Sequence, residues 1–284
     1  MFTVIWNNIF TFPLLNLTLV FYHICGDNLG LAIILIAIIT RLIMIPLTRK
    51  QTEMTRKMSG LKPQLDELKK KYASNPQKLS EEQTKLYKKS GYNPLGCLGT
   101  LIPQLVVLSV LIVVIRNVTD NKLDGVYPFI QNWFTSAADF SINTKFLFWD
   151  LTKSFSTVGA EFGKFSIQAI SYLLLAVLVG VSQYITTIFT QKMMNPLAAT
   201  PEKKKPTKKG EPVSPEELQG KMMKSMNLIL PFSTIFIAVT APSALSVYWI
   251  VQSLMLVAQY WILDWDKTKK GVQNLYTKYF KKSK

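Results

Sequence analysis

The chain has 284 residues, 49% of them hydrophobic, and a formal net charge of +16 from 33 Lys and Arg against 17 Asp and Glu. The apolar residues fall in long blocks separated by lysine-rich stretches, which excludes an ordinary soluble domain and fits a chain whose solvent alternates between bilayer and water. One histidine, His23, and two cysteines, Cys25 and Cys97, in no metal-type spacing leave almost no room for a histidine-based metal site or a catalytic dyad.

The N-terminus lacks the basic region of a cleavable signal peptide, and Tyr22-His23-Ile24 before Cys25 is a poor lipoprotein cleavage site. Residues 1–28 are therefore expected to stay in the working protein as an N-terminal segment on the outer face. Pro13 to Cys25 reads as an interfacial helix there, because its ~10–14 apolar residues fall short of a bilayer; an extra span is the alternative.

Leu29 to Leu47 is apolar except for Thr40 and Arg41, and at ~1.5 Å per residue it is long enough to cross, giving a first span over 29–48. Residues 49–93 are polar and basic, with twelve Lys or Arg against five acids. Within them Met54, Met58, Leu61, Leu65, Leu68 and Tyr72 recur at steps of four and three, the spacing of a helix with one narrow apolar seam. Pro63 kinks that helix or starts its second half. Ser74-Asn75-Pro76 breaks it, and a second helix through Leu79 and Leu86 completes a hairpin projecting into the cytoplasm. Such a hairpin either merely connects two spans or serves as a docking arm.

The second span occupies 94–116 and carries Pro103 and Gln104. Residues 117–164 form a charge-balanced, aromatic-rich external loop, parts of which are expected to lie on the bilayer. The third span follows over 165–190. Residues 191–225 are a basic loop containing Pro201-Glu202-Lys203-Lys204-Lys205-Pro206, a composition expected to be disordered. The fourth span, 226–240, turns tightly through Ala241-Pro242-Ser243 into the fifth, 244–263, and the tail 264–284 carries seven lysines against two aspartates. The positive-inside rule puts the basic segments in the cytoplasm, with the N-terminus out, the C-terminus in, and five spans. Much of the positive charge is then a topology signal rather than a nucleic-acid footprint.

Arg41 is the costly residue. An arginine near a span's centre costs ~2.5–3.5 kcal/mol on insertion scales, and Arg41 lies about 9 Å up the helix from Leu47. A snorkelling or internally paired arginine is the plain reading; the functional one is that Arg41 faces a water-filled cavity. Polar residues on the other spans supply lining: Gln104, Gln168, Gln183, Tyr184, Gln252 and Gln259. The expected spans contain no Asp or Glu, so such a cation is suited to acidic groups arriving from elsewhere.

Four stretches carry a resemblance. They are Ile39-Thr40-Arg41-Leu42-Ile43-Met44-Ile45-Pro46-Leu47; Leu61-Lys62-Pro63 with Leu68-Lys69-Lys70-Lys71-Tyr72; Asn93-Pro94-Leu95-Gly96-Cys97-Leu98 with Gln104; and Pro242-Ser243-Ala244-Leu245-Ser246-Val247-Tyr248-Trp249. In this order and at these intervals they resemble the YidC/oxidase-assembly family of membrane protein insertases, in a short form without the large periplasmic domain. Ala244 stands where a glycine is usual and Gln252 where asparagine is common.

The resemblance implies an all-α polytopic fold: five transmembrane helices around a hydrophilic groove open to cytoplasm and lipid, a cytoplasmic helical hairpin and an outer interfacial helix. It implies a chaperone that moves hydrophobic segments of nascent membrane proteins into the bilayer without ATP, not an enzyme, and with no cofactor. Groove residues would be Arg41, Gln104, Gln183, Tyr184, Tyr248, Trp249 and Gln252; the docking hairpin would use Met54, Met58, Leu61, Pro63, Leu65, Leu68 and Tyr72. Partners would be nascent membrane proteins and the lipid bilayer, with the Sec translocon and the ribosome left open. No nucleotide or protease motif is present. Two rivals stand beside it: a small-solute transporter or anion channel with Arg41 as its site, disfavoured by the lack of an internal repeat, and a membrane-anchored ribosome binder using the lysine-rich loops.

Overall fold

The computed structural model describes residues 2–73, 75–91, 101–120, 124–133, 142–194, 229 and 231–263. The start of the expected second span before residue 101, the basic loop from 195 and the tail 264–284 lie outside the described residues.

Helices dominate, as they must where lipid leaves backbone groups to satisfy one another within a segment. In chain order they are α1 (Phe2–Trp6), a π-helical turn (Asn7–Thr11), α2 (Phe12–Ile24), α3 (Leu29–Gly60), α4 (Lys62–Lys71), α5 (Pro76–Lys89), α6 (Leu101–Thr119) and α7 (Pro128–Gln131). Two short strands, β1 (Lys145–Phe146) and β2 (Trp149–Asp150), precede α8 (Phe155–Phe162), α9 (Ile167–Met194), α10 (Pro231–Thr240) and α11 (Ser243–Leu263). Among the described residues the protein is thus all-α apart from one hairpin of two-residue strands.

Among the described residues, four helical runs are long and apolar enough to cross a membrane: Thr3–Ile24, Leu29–Lys50, Ile167–Thr190 and Ser243–Ile262. Between 28% and 50% of each is buried inside the protein. The outward apolar remainder, including Leu42, Ile43, Leu174, Leu178 and Leu254, is stable against lipid and not against water. The expected second and fourth spans appear as shorter apolar helices, Gln104–Asn117 and Pro231–Thr240.

The N-terminal segment differs from the expected short interfacial helix. Helix continues from Phe2 through Ile24, and 22 residues of it are long enough to span. Asn7 and Asn8, polar residues within this run, begin the π turn, and Asn8 Nδ2 donates back to the Val4 carbonyl at 2.9 Å. Length therefore gives no ground for placing this helix on the surface.

The chain divides into two compact units. The first comprises Met1–Met44, Leu101–Tyr184 and Leu230–Leu256. Its core gathers Leu15 and Leu19 of α2, Ile33 and Ile36 of α3, Val110, Leu111 and Val114 of α6, and Leu245, Tyr248 and Trp249 of α11. Asn16, 3% exposed, joins α2 to the loop before α7: its Nδ2 donates to the Gly125 carbonyl and its Oδ1 accepts from the Tyr127 amide, each at 2.7 Å. Gly125 has φ +84, and a Cβ there would overlap the Phe12 ring, so glycine is required on both counts.

The β1–β2 hairpin and the loop after it hold together the N-terminal ends of three helices. A Cβ on Gly30, in the first turn of α3, would overlap the Phe146 ring, which defines how closely the two pack. Tyr172 of α9 accepts from the Asp150 amide at 2.8 Å. The first free amides of α11 donate to the same loop, Ser243 to the Lys153 carbonyl at 2.8 Å and Ala244 to the Leu151 carbonyl at 3.0 Å. This satisfies donors that a helix start otherwise leaves open. The N-terminal regions of the three helices are consequently held together by this one segment.

The second unit comprises Ile45–Thr100, Ile185–Ile229 and Val257–Lys284. No break marks the end of the expected first span at 48; α3 runs on to Gly60, carrying Pro46 inside it. The break falls at Leu61, and Pro63 occupies the first turn of α4, where its missing N–H costs nothing. Asn75 caps α5 by accepting from the Lys78 amide at 3.1 Å, with Pro76 following. The segment thus contains α4 and α5 with a second break between Tyr72 and Asn75.

Candidate functional site

The polar cluster of the first unit is built where α3, α6 and α11 pack. Apolar neighbours fix these helices side by side, so any polar side chain on their inner faces must find a partner there. Gln252 Nε2, on an 8% exposed side chain, donates to the Ala37 carbonyl at 2.9 Å, to Thr40 Oγ1 at 2.9 Å and to the Tyr248 hydroxyl at 3.2 Å. Thr40 Oγ1 in turn donates to the Ile36 carbonyl at 2.8 Å. The Tyr248 hydroxyl, on a fully buried ring, lies close to Thr40 and Gln104 and within the field of Arg41. Arg41 itself is half-buried, with its Nη2 shielded from solvent.

Four expected groove residues, Arg41, Gln104, Tyr248 and Gln252, are therefore brought together. Thr40 joins them; it was legible only as an interruption of the apolar run. Trp249, 4% exposed, is buried in the same apolar core as Tyr248. Gln183 is half-buried on α9, next to Ser182, which donates to Ser253 of α11 at 3.4 Å. Tyr184 is 44% exposed.

In the second unit, the expected docking seam is only partly inward-facing. Leu65 is buried at 4%, Leu61, Leu68 and Tyr72 are half-buried, and Pro63 is exposed. The side chains of Met54 and Met58 lie outside the described residues. Gln83 of α5 is 1% exposed, in register with Leu79 and Leu86 on the face that would otherwise be all leucine. Lys71 and Lys78 sit over the Tyr72 ring at 5.5 and 5.9 Å. Glu82 is held below the ordinary carboxylate range, chiefly by the hydrogen bond from Lys85 Nζ at 2.7 Å.

Outside the helices, burial opposes ionisation of Asp150. The Thr152 hydroxyl and amide, donating at 2.7 and 3.0 Å, together with Thr144 and the Lys153 charge, outweigh it and hold the carboxyl below its usual value.

Comparison with known proteins adds an independent finding. A family model described as 60Kd inner membrane protein matches residues 20–270. The membrane protein insertase YidC 2 of Bacillus anthracis is 29% identical over 272 residues, covering 94% of this chain and 84% of that protein. Membrane protein insertase MisCA of Bacillus subtilis is 29% identical over 271 residues, with 94% and 82% covered. The membrane protein insertase YidC of Treponema denticola is 30% identical over 249 residues, which are 86% of this chain and 35% of that one.

Proposed function

The chain belongs to the 60Kd inner membrane protein family, the family of the YidC insertases, and from that premise we propose that it is a multi-pass membrane insertase working through a groove centred on Arg41. It moves apolar segments of nascent membrane proteins, with their short N-terminal tails, from the cytoplasm into and across the bilayer. The observation that carries the reading is the gathering of Thr40, Arg41, Gln104, Tyr248 and Gln252 at one place among apolar helices.

In this reading the N-terminus faces out, the C-terminus faces the cytoplasm, and the groove opens to cytoplasm and lipid. Arg41 transiently attracts acidic residues in the substrate's tail, and the polar lining shortens the hydrocarbon path that such a charge must cross. The apolar segment leaves sideways into lipid, driven by the hydrophobic effect rather than by nucleotide hydrolysis. The α4–α5 hairpin receives the segment first, and Sec translocon and ribosome are its candidate neighbours.

Complementation in insertase-depleted cells tests this, scored on a single-span substrate with an acidic tail. Arg41→Lys supports insertion, whereas Arg41→Ala and Arg41→Glu do not, with Glu the worse. Normal insertion by both Ala and Glu variants, at wild-type protein levels, removes the charge-attraction mechanism.

A further inference from the structure

The hairpin turn between β1 and β2 exposes two consecutive large apolar side chains, Leu147 at 73% and Phe148 at 87%. A loop in water normally carries polar or small residues at such a tip. Here Leu147 also adopts φ +54, a left-handed conformation uncommon for a leucine. Asparagine or glycine would fit that conformation with less strain and more solubility, yet the chain places a bulky apolar residue there.

The surroundings say what covers the tip. Phe146 packs against Gly30 at the start of α3, Asp150 bonds Tyr172 near the start of α9, and the next loop caps α11 at Ser243. The hairpin is therefore fixed where three membrane-length helices begin, and the ends of spanning helices are in general where headgroups meet hydrocarbon. Trp149, behind the tip, contacts Phe148 edge-on at 6.1 Å and packs with Val158, Ala169 and Tyr172, so the tip is rigidly backed. The chain entering α9 presents further bare apolar side chains, Phe165 at 93% just before the helix and Ile167 at 86% as its first residue. Exposed Lys145 and Lys164 stand beside these two apolar groups in sequence, suited to anionic headgroups above them.

We propose that Leu147 and Phe148 form a wedge inserted into the lipid leaflet at which α3, α9 and α11 begin. The partner is the acyl region of the bilayer itself, and the wedge sets the depth of the loop that caps those helices. This holds whether or not the Arg41 groove acts in insertion.

The test uses the full chain with Cys25 and Cys97 changed to Ser, reconstituted in phosphatidylcholine–phosphatidylglycerol vesicles. A nitroxide is attached to F148C, or to L147C as a second site, with D124C as an aqueous reference and L254C as a lipid-facing one. Collisions with oxygen, which concentrates in lipid, and with a water-soluble nickel chelate supplied on both sides are compared. At 147 and 148 oxygen access exceeds chelate access, as at 254 and opposite to 124. Chelate access matching that at 124 overturns the proposal. Low access to both probes also overturns it, since the tip would then be covered by protein.

Discussion

Gln252 of α11 donates to the main-chain carbonyl of Ala37 in α3 at 2.9 Å, joining residues 215 apart in the chain. The same amide reaches Thr40, one position before Arg41. The helix that carries the arginine is thus keyed to α11 by a side chain in the middle of the polar cluster. Gln252→Leu removes the donor while keeping the volume, and should destabilise the protein by about 1 kcal/mol, since membrane hydrogen bonds are individually weak. Thermal unfolding in lipid nanodiscs reads this as a lowered midpoint. Gln252→Asn, shorter by one methylene, should fall between the two; an unchanged midpoint in the Leu variant would show that apolar packing alone sets the α3–α11 register.

Gly30 and Phe146 provide a second check, because their contact is steric. A methyl group on Gly30 overlaps the Phe146 ring, and overpacking of this kind costs about 1–3 kcal/mol. Gly30→Ala should therefore destabilise, and Phe146→Ala should cost a few kcal/mol through lost burial. In the double variant the ring is absent, so the Gly30→Ala penalty largely disappears. A double-mutant cycle that proves additive would mean the hairpin does not rest on α3 as described.

Asp150 gives a pH dependence. Its carboxyl is held below the ordinary value of 3.8 in the folded protein, with burial outweighed by the Thr152 and Thr144 hydrogen bonds and by Lys153. The folded state therefore keeps this group ionised to lower pH than the unfolded chain does. Its contribution to stability is present above 3.8 and is lost as pH falls through the lower folded value. Asp150→Asn should flatten the acid limb of the stability profile below about pH 4 while leaving the curve above pH 6 parallel to that of the unaltered protein.

Much of this architecture is legible in the sequence, for identifiable reasons. The run from Leu29 is apolar for long enough that only a spanning helix suits it, and Asn75-Pro76 combines an N-cap with a residue fitted to the first turn. What stays hidden depends on contacts made at a distance. The β1–β2 hairpin has two-residue strands and no glycine at its turn, so no periodicity betrays it; Phe146 on Gly30 and Tyr172 on Asp150 hold it. Thr40 reads as an ordinary helix threonine bonding back to Ile36, and only Gln252, 212 residues on, makes it part of the polar cluster. Tyr248 and Trp249 are both buried in the same core, and it is the Tyr248 hydroxyl, accepting from Gln252, that makes its position part of the polar cluster.

Gln83 supports the final prediction. It sits on the inner face of the α4–α5 hairpin at 1% exposure, and among the described residues neither amide atom has a hydrogen-bond partner. A buried polar group in that state costs about 1–3 kcal/mol relative to an apolar group of similar shape. Gln83→Leu extends the face already formed by Leu79 and Leu86 opposite Leu65, and should stabilise the hairpin by about that amount. Amide hydrogen exchange over residues 62–89 reads the gain directly, as roughly tenfold slower exchange for each 1.4 kcal/mol if the amides open through local unfolding. Gln83→Ala separates the two contributions: it removes the unsatisfied amide but leaves a void, so its exchange should lie close to that of the unaltered chain. Faster exchange in the Leu variant would mean that the amide is satisfied in solution and that the polar position stabilises the hairpin instead of weakening it.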